Sequence, residues 1–549
     1  MNTLAGAQAP DIIYFHGHLA TMDRSRPAAE AIATRGDRIV AVGSDAEVLA
    51  LAGPNTARVE LQKHFVMPGF NDAHVHLAMG GAAALSVQME GCRSLAEMQA
   101  RIREAAAHTP DGEWLTGRGW DHTLWPEARF PNRHDLDAVT GNHPAFFART
   151  DGHVAVVNTL ALEMARITAA STASEGGSIA LDAHGQPSGL LLEGAMGLVQ
   201  SRIPPPSPAK RRQALSLALD DALRHGITSL QDNSSWEDFL ALEALEREGK
   251  LPVRVSEWLS FAAPLATLEA QRRHHAADDS WLRTGMLKGF MDGSLGSRTA
   301  ALLAPHADDP GNTGLPQYEM AQLDALARER SAAGFQLGFH AIGDRAVRMA
   351  LDTFASLPAP KGEGRKGGMD PSEMVGPRHR IEHLQVIAPE DVPRLHALGV
   401  IASVQPNHLL TDMRWAEARL GSGRARYSYL WASLLRHGVP LAFGTDYPVE
   451  SISPFPGLYA AITRQSLDQR QTYYPAERLS REQALHAYTL GSAMAEFSET
   501  QKGSLAPGKL ADFVVLSQDL RTVVPIAILH TTVLMTIVGG VVRYRAASQ

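Results

Sequence analysis

Short apolar runs of strand length fall at 65–70, 226–231, 252–259, 286–291, 335–339, 379–384, 400–404 and 440–443. Between most of them lie longer stretches with the apolar spacing of helices, such as 209–224 and 320–333. Eight strand-like runs with intervening helices predict an α/β fold, a (β/α)8 TIM barrel of parallel strands. The second run starts about 150 residues after the first, which predicts an inserted lobe at about 85–205, above the barrel mouth after barrel strand 1.

The two ends of the chain read differently. Segments 11–19, 29–35 and 38–42 are short and β-rich, and Arg35-Gly36-Asp37-Arg38 is a hairpin signal. Segments 511–516 and 533–544 share that character, so both termini are expected to build one small β-sandwich. The expected division is 1–64 and 501–549 for the two sandwich parts, with 65–500 for the barrel and its lobe. From 522 to 542 there are 21 residues without Asp, Glu, Lys or Arg, long enough for a membrane span. Pro525, the Gly539-Gly540 pair and the Val, Ile and Thr content instead predict two short buried segments, the second at 533–538, then a turn and a strand at 541–544.

Composition narrows the function classes. With 44% hydrophobic and 20% charged residues, the 549-residue chain is neither disordered nor fibrous. A balance of 51 basic against 59 acidic residues, net −8, argues against nucleic acid or an anionic membrane as partner. Residues 1–10 have no basic or apolar leader pattern. The expected setting is therefore cytoplasmic, with a small molecule as partner and a homodimer as the assembly. A single cysteine, Cys92, excludes an intramolecular disulfide and a zinc-finger cluster.

Against one cysteine stand 23 histidines, and their positions matter more than their number. The first run leads into Pro68-Gly69-Phe70-Asn71-Asp72-Ala73-His74-Val75-His76. Alternate residues of a strand share a face, so His74 and His76 can offer both imidazoles to one point. The fifth run ends in His340, the sixth carries Glu382-His383, and the eighth ends in Gly444-Thr445-Asp446. In a barrel all C-terminal strand ends meet at one face, so four histidines and an aspartate can converge there. Neutral imidazole and carboxylate suit zinc or a similar divalent ion. The fourth run contributes Lys288, costly to bury as a charge. It is either an ion-paired lysine or, if carbamylated, a carboxylate able to bridge two metals.

These residues resemble the amidohydrolase superfamily of metal-dependent hydrolases. The resemblance rests on the Pro68-to-His76 segment, on His340, His383 and Asp446 in that order, and on Gly503-Ser504-Leu505-Ala506-Pro507-Gly508-Lys509-Leu510-Ala511-Asp512-Phe513. Segments 146–158, 189–194 and 290–300 further resemble the branch of the N-substituted formamide deformylases. The resemblance implies a barrel with a sandwich from both termini. It implies His74, His76 and Asp446 around one metal, with His340 and His383 at a second position or nearby. Zinc is the expected ion, one or two, with Lys288 or Glu193 as the bridging ligand if there are two. Some relatives use a cysteine ligand, a role Cys92 does not fit.

The expected reaction is attack of a metal-activated water on an amide carbonyl, with Asp446 as general base and then general acid. His153, Glu193 and Asp292 are candidate substrate contacts, and His408 lies at the correct strand end to join them. Trp120 and Trp125 are expected to pack the core of the lobe. An esterase or cyclic-amide hydrolase would use the same residues. A non-catalytic scaffold is the third reading, against which the intact set of five ligand residues counts.

Overall fold

Eight parallel strands form a sheet in strict chain order: β1 (Phe70–Val75), β2 (Ile227–Asp232), β3 (Arg254–Ser260), β4 (Leu282–Phe290), β5 (Leu337–Ala341), β6 (Arg380–His383), β7 (Ile401–Val404) and β8 (Leu441–Phe443). The computed structural model describes residues 8–149, 154–172, 177–358 and 376–547. His153 and most of a Gly- and Lys-rich stretch at 360–377, expected to be a surface loop, lie outside the described residues. The sheet nearly closes into a barrel. Just beyond β8, the Asp446 N–H donates to the His74 carbonyl (2.8 Å) and the His76 N–H to the Tyr447 carbonyl (2.7 Å). The chain divides into two units, Met1–Leu77 with Leu219–Gln549, and Ala78–Ala218.

The apolar run at 65–70 proves to be two strands in two sheets. Phe65–Pro68 does not open the barrel; it pairs with His18–Ala20 from the N-terminal part and Phe513–Leu516 from the C-terminal part. Both strands are buried along their whole length, so nothing in the hydrophobic pattern separates them. The break is Gly69, where a Cβ would stand 2.1 Å from the Thr228 side chain, too close for any other residue without a shift.

That six-stranded sheet runs Val541–Arg545, Val533–Val538, Phe513–Leu516, Phe65–Pro68, His18–Ala20, Ala28–Ala29. A second sheet of Arg38–Gly43, Ala31–Arg35, Ile12–Phe15 and Ala57–Glu60 shares a core with it, which includes Tyr14, Ile32, Phe513, Val515 and Ile537. Of the charge-free stretch at 522–542, Val533–Val538 and the start of Val541–Arg545 are sandwich strands, while the first expected buried segment is a short helical turn, Pro525–His530, in which only Ile528 is buried. Gly539 and Gly540, at φ 62° and 75°, make the turn between its last two strands. No helix among the described residues is long and apolar enough to cross a membrane. The buried Arg254 guanidinium at the start of β3 forks onto the Asp512 carboxylate (2.6 and 3.0 Å), tying barrel to C-terminal strand.

The unit Ala78–Ala218 has its own six-stranded sheet and core. Trp120 and Trp125 are buried in it, and their indole N–H groups donate to the carbonyls of Phe147 (2.8 Å) and Cys92 (3.0 Å). Cys92 is buried in the same cluster.

Candidate metal centre

His74 sits inside β1 and His76 one residue past its end, with ring centroids 5.4 Å apart. Each ring is oriented from behind. His74 Nδ1 lies 2.8 Å from Glu382 Oε2, and His76 Nδ1 lies 3.1 Å from the Asn233 carbonyl. Both partners only accept, so both Nδ1 atoms carry the proton and both Nε2 atoms present a lone pair. Those Nε2 atoms face Asp446 Oδ1 at 3.5 Å and 3.1 Å. The three ligand atoms lie within 4.8 Å of one another. Asp446 Oδ1 is buried and has no hydrogen-bond donor among the described residues. Two imidazole lone pairs and an orphaned carboxylate oxygen facing one another fit a divalent cation with N and O ligands.

Asp446 is held in an unfavourable backbone region, φ 59°, by its neighbours. Asp72 accepts from the Thr445 amide (2.9 Å), the Thr445 hydroxyl (2.6 Å) and the His74 amide (3.1 Å), so one buried carboxyl grips both the β8 turn and β1. Burial pushes the Asp72 carboxyl up to about 7. Gly444 allows the approach, because a Cβ there would stand 2.6 Å from the His74 nitrogen. Burial raises the Asp446 carboxyl, but the histidines around it outweigh this, His408 through its hydrogen bond to Oδ2, and hold it well below the usual carboxylate range. Burial, with Lys288 next, drops His74 to about 3, which keeps its ring neutral.

A second triad shares Asp446. The ligand atoms of His383, His408 and Asp446 also lie within 4.8 Å of one another. His383, at the end of β6, places Nδ1 2.8 Å from Gln405 Oε1, and His408 Nε2 is 3.2 Å from Asp446 Oδ2. The residue expected beside His383 was His340, and it stands outside both triads. Its Nε2 faces the Gly293 carbonyl at 3.0 Å, while its ring lies 4.5 Å from that of His383.

Lys288 is buried in β4, with Nζ 3.1 Å from His74 Nε2. Burial draws its amine down to about 8. A cavity of about 270 Å³ lined by Ser260, Lys288, Phe290, Gln317 and Tyr318 reaches it. The Asp292 carboxylate faces inward instead, accepting from the amides of Ala301, Ile342 and Gly343 at 2.8–3.0 Å, with Oδ1 3.5 Å from His340 Nε2. Glu193 is exposed, in the unit Ala78–Ala218.

Sequence reasoning passed over Glu382, Asp72 and Gln405. Glu382 had a signal: Arg380 and Glu382 alternate inward on one buried strand and pair at 2.8 Å. Burial raises the Glu382 carboxyl, yet Arg380 and His74 hold it down to about 2, ionised against the His74 Nδ1 proton.

Residues 59–544 match the model of the amidohydrolase family. The protein LONG AFTER FAR-RED 3 of Arabidopsis thaliana is 34% identical over 92% of this chain and 87% of its own length. The N-substituted formamide deformylase of Arthrobacter pascens is 26% identical over 98% of this chain and 99% of its own. The crystal structure of an uncharacterized metal-dependent hydrolase from Pyrococcus furiosus superimposes with a TM-score of 0.78 at 28% identity, covering 93% of this chain and all of that one. With most of its length matched and the same architecture, the chain belongs to the amidohydrolase family.

Proposed function

We propose that the chain is a metal-dependent hydrolase that cleaves the carbon–nitrogen bond of a small N-acyl or N-formyl amine. One observation carries this reading: Asp446 stands between two histidine pairs with one oxygen buried and without a donor among the described residues. A divalent ion, zinc by its N and O donors, would be held by His74, His76 and Asp446, and when bound supplies Lewis acidity toward a carbonyl and acidifies water. The remaining work falls to the chain. Glu382 and the Asn233 carbonyl hold the Nδ1 protons so that both Nε2 lone pairs stay directed inward. Asp446, kept ionised, accepts the proton from water and returns it to the departing amine, which is a poor leaving group without it. His408 Nε2 against Asp446 Oδ2 orients that carboxylate for both transfers.

Lys288 is proposed as the bridging ligand of a two-ion centre once carbamylated on Nζ, since it lies among the same donors. Asp292 is read as positioning His340, because its oxygens already face backbone amides. Phe290 and Tyr318 beside Lys288 offer apolar contacts for the amine substituent. The N-substituted formamide deformylase relative supports the N-formyl case.

The test is a panel of N-substituted formamides, anilides, N-acyl amino acids and matched esters, read out as acid released. Dialysis against a chelator should abolish turnover and zinc should restore it. Undiminished hydrolysis by metal-stripped protein would overturn the metal reading. Turnover confined to esters would overturn the amide reading.

A further inference from the structure

A separate group of donors meets at the other end of the barrel. Glu246 lies in the last turn of the helix Trp236–Arg247, which follows β2. His275 caps the helix Leu265–His274 after β3, and Asp279 lies shortly before β4. Helices following strands end, and strands begin, at the barrel face opposite the C-terminal strand ends. His275 Nδ1 is 3.2 Å from Glu243 Oε1, an acceptor, so the ring proton is on Nδ1 and the Nε2 lone pair points away from it. Nε2 then faces Glu246 Oε2 at 3.5 Å and Asp279 Oδ2 at 3.4 Å, and it is buried without a hydrogen-bond partner.

The surrounding cations are committed elsewhere. Arg247 (2.7 Å) and His274 (3.2 Å) both pair with Glu243. Asp279 Oδ1 accepts from the Trp281 amide (2.7 Å), which leaves Oδ2 to the cluster. Glu246 also sits at a helix C-terminus, where negative charge is disfavoured. Burial, with Asp279 next to it, pushes its carboxyl up to about 7. An imidazole lone pair and two carboxylate oxygens, all within 4.8 Å of one another, are three acceptors facing a common point. The Glu243–His275 bond repeats the carboxylate–imidazole support that orients metal-binding histidines.

We infer that Glu246, His275 and Asp279 form a second divalent-metal site of the zinc class, remote from Asp446, that clips the helix Trp236–Arg247 to the segment entering β4. Its role is structural: it joins two consecutive βα units on the face away from the chemistry.

The test uses the full chain with its centre already loaded. Crystals soaked in zinc should show an anomalous peak between His275 Nε2 and the two carboxylates. Dialysed wild type should hold one more equivalent of zinc than a Glu246→Gln/Asp279→Asn variant, with kcat equal in the two. Zinc should raise the melting temperature of wild type by several degrees more than that of the variant. No peak at this point, together with equal zinc content, would overturn the site and leave a protonated His275 as the bridging cation. The crystal measurement needs no variant, so a misfolded double mutant does not decide the question.

Discussion

Asp446 and His74 are coupled twice, through backbone and side chain. The Asp446 N–H donates to the His74 carbonyl at 2.8 Å, and Asp446 Oδ1 lies 3.5 Å from His74 Nε2. The first contact helps close the barrel between β8 and β1; the second builds the candidate metal centre. Closing the barrel thus aligns residues 372 positions apart in sequence, and a change to either side chain can be made without touching the backbone bond.

Asp446→Asn uses that separation. The backbone donor remains, so the melting temperature should stay within a few degrees of wild type. The carboxylate that takes and returns the proton is gone, and kcat should fall by ~10²–10⁴-fold. A variant that turns over at the wild-type rate would remove Asp446 from the mechanism.

Glu382→Gln should act through His74. The amide loses the charge that holds the His74 Nδ1 proton at 2.8 Å and also weakens the partner of Arg380. Metal affinity, measured by competition with a chromogenic chelator, should weaken ~10–100-fold. Unchanged affinity would mean that packing alone orients the ring.

Thr445→Val removes the hydroxyl bonded to Asp72 Oδ2 at 2.6 Å while keeping the side-chain shape. A buried acceptor then loses one donor, which costs ~1–3 kcal/mol in denaturant unfolding. Because Asp446 next to it is held at φ 59°, kcat should fall as well. Loss of stability with full kcat would show that the turn keeps its geometry without this bond.

The barrel was legible because eight apolar runs separated by helical periods leave few alternatives. His74, His76 and Asp446 were legible as candidates for the same reason, since each follows the end of a run within six residues. The boundary at Gly69 was not, because both strands it divides are buried and periodicity cannot mark a change of sheet. His340 and His408 show a finer limit. Both lie near strand ends, and only the direction of each ring, toward the Gly293 carbonyl or toward Asp446, distinguishes them. Glu382 escaped notice because its partner, His74, is 308 residues away in sequence.

Tyr14 offers a test of the sandwich that both termini build. Its hydroxyl donates to the Gly540 carbonyl at 3.0 Å, and its ring packs edge-on against Phe513 at 4.9 Å. Burial pushes its pKa up to about 12, with Arg545 offsetting part of the rise. In the unfolded chain the phenol ionises near its ordinary value of ~10. Below that pH both states keep the proton, and the stabilising contribution is fully present. Between ~10 and about 12 the unfolded chain ionises first, so stability falls by ~1.4 kcal/mol per pH unit from this group. Tyr14→Phe lacks both the hydrogen bond and the titration. Wild type should therefore exceed the variant by ~1 kcal/mol near neutral pH. The gap should close and reverse above pH ~11 as the phenol titrates, measured by urea unfolding across that range. The other tyrosines titrate in both proteins and cancel in the difference. A gap that stays constant to pH 12 would show that the Tyr14 phenol titrates alike in the folded and unfolded chain, and no gap near neutral pH would show that its hydroxyl does not join the two termini.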